Sequence, residues 1–318
     1  MKKVERIYRW IIISVIVQFF ILAYFNYIYL PGSGKVKATM YELPGTEVSN
    51  REVKVPSGAE YLKISYDGLY VGYILNGKLE IVSSAKRSDR KTINPGESGI
   101  SFYRWLPDRN MVIYSCSSGE SKEEKVLVST YDMDTGTERS YPEITGLKSN
   151  SRVSDIVLSP LTNIVYIKVE NGDSGAGIYR FNIMDNLKYI MKTGKETVIK
   201  ETAYNDNLIY QDSNGRIFVR NGKQNKSVQL GFKGSMALLE IDSEDRVYSG
   251  SLDEDGRITG IHYGKLNGGS VKSWKKIELD KAVPAGDIII TKSGTVYVLD
   301  AGNKSVCNIA SGEKIEYD

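Results

Sequence analysis

From about residue 51 to the C-terminus, apolar and polar residues alternate over short runs, and clusters of Gly, Asn, Asp and Ser separate these runs. No segment of this region keeps the apolar period of a helix. Alternation with a period of two predicts half-buried β-strands, and the small polar clusters between them predict tight turns. The region is therefore predicted to be all-β.

One of these alternating runs recurs six times, with a tyrosine at the same point in each copy. Successive tyrosines are 41, 52, 44, 38 and 49 residues apart. The blades of four-stranded propellers recur at roughly 40–50 residues. The pattern predicts a six-bladed β-propeller over residues 51–318, with a seven-bladed propeller as the alternative. The tyrosines predicted to mark the second strand of each blade are Tyr73, Tyr114, Tyr166, Tyr210, Tyr248 and Tyr297.

The clearest copy, residues 287–307, predicts three strands of the last blade. Two segments could supply its fourth strand. Residues 51–55 could close the ring from the N-terminal side, whereas residues 314–317 could complete the blade locally. The pattern leaves both alternatives open.

The N-terminus has a different pattern. Residues 10–30 form an uncharged run that is long enough for a helix to span a bilayer, and basic residues precede it. The sequence predicts a single-pass membrane anchor over 10–30, a cytoplasmic basic tail over 1–9, a stalk over 31–50 and an extracytoplasmic propeller over 51–318. A cleaved signal peptide and a buried core helix are the alternatives. The expected location is the cytoplasmic membrane of a bacterium.

Charge limits the classes of partner. The 318 residues include 42 basic and 39 acidic residues, and the first nine residues contain four of the basic and one of the acidic ones. From position 10 onward, 38 basic residues therefore balance 38 acidic ones. A nucleic-acid-binding domain is expected to carry a basic excess, so no nucleic-acid partner is predicted. Cys116 and Cys307 fall in different predicted blades, and we expect both to be free thiols.

Several blade motifs resemble those of known propellers. The segments ISYDGLYVGYI (64–74), RWLPDRNMVIYS (104–115) and LSPLTNIVYIK (158–168) look like the strand pair of TolB-like and WD-repeat-like propellers, which also builds the propeller of prolyl oligopeptidase-type peptidases. The segments DSNGRIFV (212–219) and SGTVYVLDAGNKSV (293–306) are similar to blades of NHL and lactonase-type propellers. These resemblances imply a propeller fold over residues 51–318.

Catalytic motifs of two enzyme classes are missing from the sequence. A prolyl oligopeptidase-type hydrolase needs a G-x-S-x-G nucleophile elbow, which does not occur here. His262 is the only histidine, which excludes a multi-histidine metal site. No catalytic, cofactor-binding or metal-binding residue is predicted, and no cofactor is expected.

A carboxylate site at the central channel remains open. The resemblance to lactonase-type propellers implies that Glu, Asn and Asp side chains near the channel could hold a divalent ion, for which oxygen ligands are suited. The alternative is that charged side chains on the innermost strands solvate the channel. The candidate channel-lining residues are Lys63, Arg104, Asp155, Glu201, Glu240 and Asp287.

The sequence thus favours a membrane-anchored, non-catalytic binding or scaffolding module of the cell envelope. Its expected partner is an envelope protein, a peptide or a glycan. The alternative is a propeller enzyme, lactonase-like or glycan-cleaving, that uses carboxylates at the channel mouth.

Overall fold

The structure of the protein is a computed structural model. It describes residues 2–24 and 53–316, except for 85–89, 97–98, 119–123, 160, 173–174, 183–185, 233 and 301. The chain divides into two compact units, Met1–Arg51 and Glu52–Asp318, and each is described by itself. The predicted stalk over 31–50 lies outside the described residues.

The described residues of the N-terminal unit form one helix, α1 (Lys2–Tyr24). It covers the first part of the predicted anchor, and residues 25–30 fall outside the described residues. Within the described residues, no helix combines the length and apolar character needed to cross a bilayer.

The second unit contains six antiparallel sheets among its described residues, which we call blades 1 to 6 in chain order. Blade 1 consists of β1 (Glu60–Ile64), β2 (Tyr70–Leu75), β3 (Lys78–Ser83) and β4 (Arg90–Ile93). Blade 2 consists of β5 (Ile100–Trp105), β6 (Met111–Ser118), β7 (Glu124–Asp132), β8 (Glu138–Ser140) and β9 (Ile144–Leu147). Blade 3 consists of β10 (Arg152–Ser159), β11 (Ile164–Glu170), β12 (Ala176–Asn182) and β13 (Lys188–Thr193).

The remaining blades have the same order. Blade 4 consists of β14 (Val198–Glu201), β15 (Asn207–Gln211), β16 (Ile217–Asn221) and β17 (Lys226–Gln229). Blade 5 consists of β18 (Met236–Ile241), β19 (Arg246–Leu252), β20 (Ile258–Asn267), β21 (Ser270–Val271) and β22 (Lys275–Val283). Blade 6 consists of β23 (Ile288–Ile290), β24 (Val296–Asp300), β25 (Ser305–Asn308) and β26 (Lys314–Glu316).

Within each blade the first three strands pair in chain order, and the first strands of successive blades contact each other. This places β1, β5, β10, β14, β18 and β23 around the centre of the unit. The architecture is an all-β six-bladed propeller, and its second strands carry the six marker tyrosines. The marker tyrosines of blades 1 to 3 and 5 are buried, whereas Tyr210 and Tyr297 are half-buried.

Apolar packing joins the blades in sequence. Each of the five buried clusters found among the described residues combines side chains of two successive blades, from blades 1 and 2 through to blades 5 and 6. None of these five clusters joins blade 6 to blade 1. Cys116 and Cys307 are free cysteines in blades 2 and 6.

The last blade is completed by its own C-terminal strand. β26 pairs with β25, with Val306 opposite Ile315. The described part of the alternative segment, residues 53–55, forms no strand. Residues 314–316 therefore supply the fourth strand of blade 6, and among the described residues each terminal blade is built from consecutive strands.

Candidate functional site

A cavity of about 950 Å³ lies at the centre of the propeller, and side chains from the inner strands of all six blades contribute to its wall. Because every blade contributes one inner strand, the fold itself creates this cavity. Concave sites of roughly 300–1,000 Å³ are the usual size for ligand binding. The charged residues of the wall are Lys63, Arg104, Lys200, Glu201, Glu240 and Lys292.

Glu240 on β18 is shared by two lysines. Lys200 Nζ lies 2.8 Å from one carboxylate oxygen, and Lys292 Nζ lies 3.1 Å from the other. Burial alone would raise the pKa of Glu240, but the positive charges of Lys200 and Lys292 outweigh it and lower the pKa to about 2. Glu240 is therefore an ionised group held between two cations, which does not suit it to proton transfer near neutral pH.

Arg104 on β5 is paired with Asp155 on β10. Arg104 Nη2 lies 3.1 Å from a carboxylate oxygen of Asp155, and both side chains are partly buried. This pair joins blades 2 and 3 beside the cavity. Asp155 is thus held by a neighbouring cation, as Glu240 is.

Lys63 on β1 has different surroundings. Its ammonium group donates a hydrogen bond of 3.0 Å to the Tyr103 carbonyl oxygen and lies 4.9 Å from the centre of the Phe102 ring. Burial and the nearby Arg104 charge lower its pKa, and Asp155 opposes this effect. Among the described residues, no carboxylate lies within ion-pair distance of Lys63.

Glu201 on β14 forms part of the wall, but its carboxyl group is buried away from solvent. Both of its oxygens are buried, and the Thr162 hydroxyl group lies near them. Burial raises its pKa well above the usual value; nearby Asp206 adds to the effect, and Arg180 opposes it. Because Arg180 and Asp206 belong to blades 3 and 4, the Glu201 carboxyl group is placed at their interface rather than among the cations of the cavity.

Asp287 does not lie on an inner strand. It ends a short 3-10 helix, Ala285–Asp287, directly before β23. It is not among the residues that form the cavity wall. Of the six candidates, Lys63, Arg104, Glu201 and Glu240 contribute to the wall, and Asp155 reaches it through Arg104.

Lys200 and Lys292 were not among the sequence candidates. Lys200 directly precedes Glu201 on the predicted inner strand of blade 4, and neighbouring residues of a strand point in opposite directions. A choice between the two residues therefore needed the strand register. Lys292 lies in the turn after β23, where strand alternation gives no information.

Within the part of the chain that the structure describes, no group of three or more His, Cys, Asp or Glu side chains could hold a metal ion. His262 lies on β20, the third strand of its blade, and its Nε2 is 2.9 Å from the Ser251 hydroxyl. Burial and the Lys276 charge lower its pKa. The carboxylates Asp155 and Glu240 are each paired with cations instead of converging on one point.

No family model and no curated protein sequence matches the chain, whereas solved structures match it at the level of the fold. The match to a prolyl endopeptidase structure covers 81% of this chain and 42% of the peptidase chain, with 11% sequence identity and a TM-score of 0.57. The match to dipeptidyl peptidase 4 from Porphyromonas gingivalis covers 84% of this chain and 46% of the peptidase, with 10% sequence identity and a TM-score of 0.50. The match to TolB from Acinetobacter baumannii covers 80% of this chain and 62% of TolB, with 16% sequence identity and a TM-score of 0.47. This chain spans less than half the length of the two peptidases, and its likeness to them is one of β-propeller fold.

Proposed function

We propose that the propeller is a non-catalytic binding module that receives a partner at its central cavity. The observation that carries this proposal is a cavity of about 950 Å³ whose wall is supplied by the inner strands of all six blades. Rigid scaffolds that surround one concave site are suited to presenting fixed groups to a ligand.

The charges around the cavity favour binding over catalysis. A general acid or base works best when its pKa lies near the working pH. Glu240 is held between Lys200 and Lys292, and Asp155 is paired with Arg104. Glu240 is therefore stabilised in its charged form, and the Asp155 carboxylate is held in place by its ion pair with Arg104. Both arrangements suit the recognition of a ligand.

We further propose that the module acts at the cell envelope of a bacterium, where an envelope protein, a peptide or a glycan would be its partner. The support is the sequence of the N-terminus, in which the uncharged run 10–30 follows four basic residues in the first nine positions. A run of about 20 apolar residues behind basic residues favours an anchor with its N-terminus in the cytoplasm.

Site-specific photocrosslinking of the full chain in its own membranes tests the binding site. Leu62 lies on the cavity wall and is 55% exposed, whereas Val228 lies on the outer strand β17 and is 51% exposed. A photoreactive residue at position 62 should yield a defined adduct that is absent when the same residue occupies position 228. Adducts at position 228 alone would contradict a cavity site.

The location is tested separately by cysteine labelling of intact cells. Cys116 is buried, so replacing Cys307 with Ser leaves an introduced cysteine as the exposed thiol of the propeller. We expect a membrane-impermeant maleimide to label Val228→Cys in this Cys307→Ser background. Labelling that requires permeabilised cells would contradict an extracytoplasmic propeller and would leave the binding proposal unaffected.

A further inference from the structure

The charges around the central cavity are not balanced. Among the described residues, four basic side chains contribute to its wall, namely Lys63, Arg104, Lys200 and Lys292. Two carboxylates offset them: Glu240 in the wall and Asp155 beside Arg104. Both oxygens of the remaining wall carboxyl group, Glu201, are buried and face no solvent. The solvent-facing charges of the cavity therefore have an excess of about two positive charges.

Lys63 is the cation that this excess leaves without a carboxylate. An ammonium group has three hydrogen-bond donors, and within the described part of the chain Lys63 uses one, toward the Tyr103 carbonyl oxygen. The Phe102 ring and the Arg104 guanidinium lie beside it. An added anion at this point would gain a partly buried partner, and an ion pair there is stronger than one on the open surface.

The same wall also exposes apolar side chains. Leu62, Ile64 and Ile289 are 55%, 63% and 45% exposed, although all three belong to the inner strands of blades 1 and 6. Exposed apolar side chains inside a concave site indicate that the ligand carries apolar groups as well as a negative charge.

We propose that the central cavity binds an acidic peptide segment that also carries apolar side chains, with a carboxylate of this segment paired to Lys63. The proposal rests on the cavity being the binding site. A volume of about 950 Å³ exceeds what a single inorganic anion needs. The exposed apolar side chains of blades 1 and 6 in the same cavity would leave the hydroxyl groups of a glycan unpaired. The balanced charge of residues 10–318 does not favour nucleic acid.

The test measures binding of three dye-labelled decapeptides to the full chain in detergent micelles, by fluorescence anisotropy with an uncharged dye. Leucine alternates with glutamate, glutamine or lysine in the three probes. We expect the glutamate probe to bind at least about 10-fold more tightly than the glutamine probe, and the lysine probe to bind most weakly. Equal affinities for the glutamate and glutamine probes would overturn the proposal.

Matched variants test whether Lys63 is the residue that gives the preference for the acidic probe. We expect Lys63→Met to weaken glutamate-probe binding about 10-fold and to leave the glutamine probe within about 2-fold, while Lys63→Arg keeps the preference. Lys226→Met removes the same charge from the exposed strand β17 and should change neither. Equal effects of Lys63→Met and Lys226→Met would overturn the assignment.

A second variant and the crosslinking experiment separate a loss of peptide binding from a loss of folding. Lys292→Glu removes a half-exposed cation from the same wall. Weaker binding of the glutamate probe to this variant supports the proposal even if Lys63→Met lowers the stability of the protein. If no probe binds, the acidic-peptide inference fails, whereas crosslinking from position 62 still decides whether the cavity is a binding site.

Discussion

The Tyr166 hydroxyl in blade 3 donates a hydrogen bond of 2.6 Å to the carboxylate of Asp206 in blade 4. Arg180 Nη2 donates to the other oxygen of the same carboxylate, also at 2.6 Å. Tyr166, Arg180 and Asp206 are largely buried, so this carboxylate joins two blades through charge-assisted hydrogen bonds. In blade 5, the marker tyrosine Tyr248 donates to Asp242, which also accepts from Arg246.

Tyr166→Phe should destabilise the propeller by about 1–3 kcal/mol, because it leaves one acceptor of a buried carboxylate without its donor. Tyr210→Phe is the matched control, since its hydroxyl has no hydrogen-bond partner in the described part of the chain. We expect the control to change stability by less than about 0.5 kcal/mol. Urea unfolding of both variants measures the difference, and equal effects would show that the Tyr166–Asp206 bond contributes nothing.

Gly222→Ala should destabilise the propeller by about 1–3 kcal/mol, which is typical of overpacking. A methyl group at Gly222 would overlap the Asp206 carboxyl group, which Tyr166 and Arg180 hold in place. Gly231 lies close by in the chain and has open space at the same point. Gly231→Ala should therefore be nearly neutral in the same unfolding experiment, and a similar loss in both variants would contradict the predicted overlap.

Glu201→Gln should stabilise the protein at neutral and alkaline pH. The pKa of Glu201 is raised well above 4.5, so the folded state keeps a proton that the unfolded state releases. Its contribution to stability is full below about pH 4.5 and is lost as pH rises toward the folded-state pKa. The difference in Tm between the variant and the natural protein should therefore grow from pH 4 to pH 8. A difference that does not change with pH would contradict a raised pKa.

Glu240 should have the opposite dependence. Its pKa is lowered to about 2, so its contribution to stability is present above about pH 4.5 and is lost as pH falls toward 2. Glu240→Gln should cost about 1–3 kcal/mol at pH 7, because Lys200 loses its partner in a partly buried place. Glu278→Gln breaks an exposed ion pair with Lys276 and serves as the control, with an expected change below about 1 kcal/mol.

Removal of residues 1–55 should leave the propeller folded. β26 completes blade 6, and β1 to β4 complete blade 1, so neither blade needs a strand from these residues. We expect unchanged far-ultraviolet circular dichroism per residue of the propeller and a single unfolding transition. Loss of β-structure in the shortened chain would mean that residues before Pro56 take part in the ring.

The strands could be predicted from sequence because their signals are local. Alternation and turn residues lie within each strand pair, and the tyrosine spacing then gave six copies. The closing strand could not be chosen, because residues 51–55 and 314–317 have equally suitable patterns. Which of them pairs with β25 depends on contacts between distant parts of the chain, and the structure shows that it is β26 (Lys314–Glu316).

The cavity could be predicted only in part. Lys63, Arg104 and Glu240 stand out as charges on otherwise apolar inner strands, and all three contribute to the wall. Glu201 and Lys200 are neighbours on β14, so a choice between them required knowing which side of the strand faces the centre. The charge excess depends on how cations and carboxylates pair across blades, which no local pattern contains.

Filling the central cavity with a bulky side chain tests whether the partner binds there. Ile289 is 45% exposed on the wall, so Ile289→Trp adds bulk there, while Val228→Trp adds the same bulk on the outer strand β17. The measurement is the dissociation constant of the glutamate–leucine probe for the two folded variants. We predict a value at least about 10-fold higher for Ile289→Trp and an unchanged value for Val228→Trp; equal values for the two variants would contradict binding in the cavity.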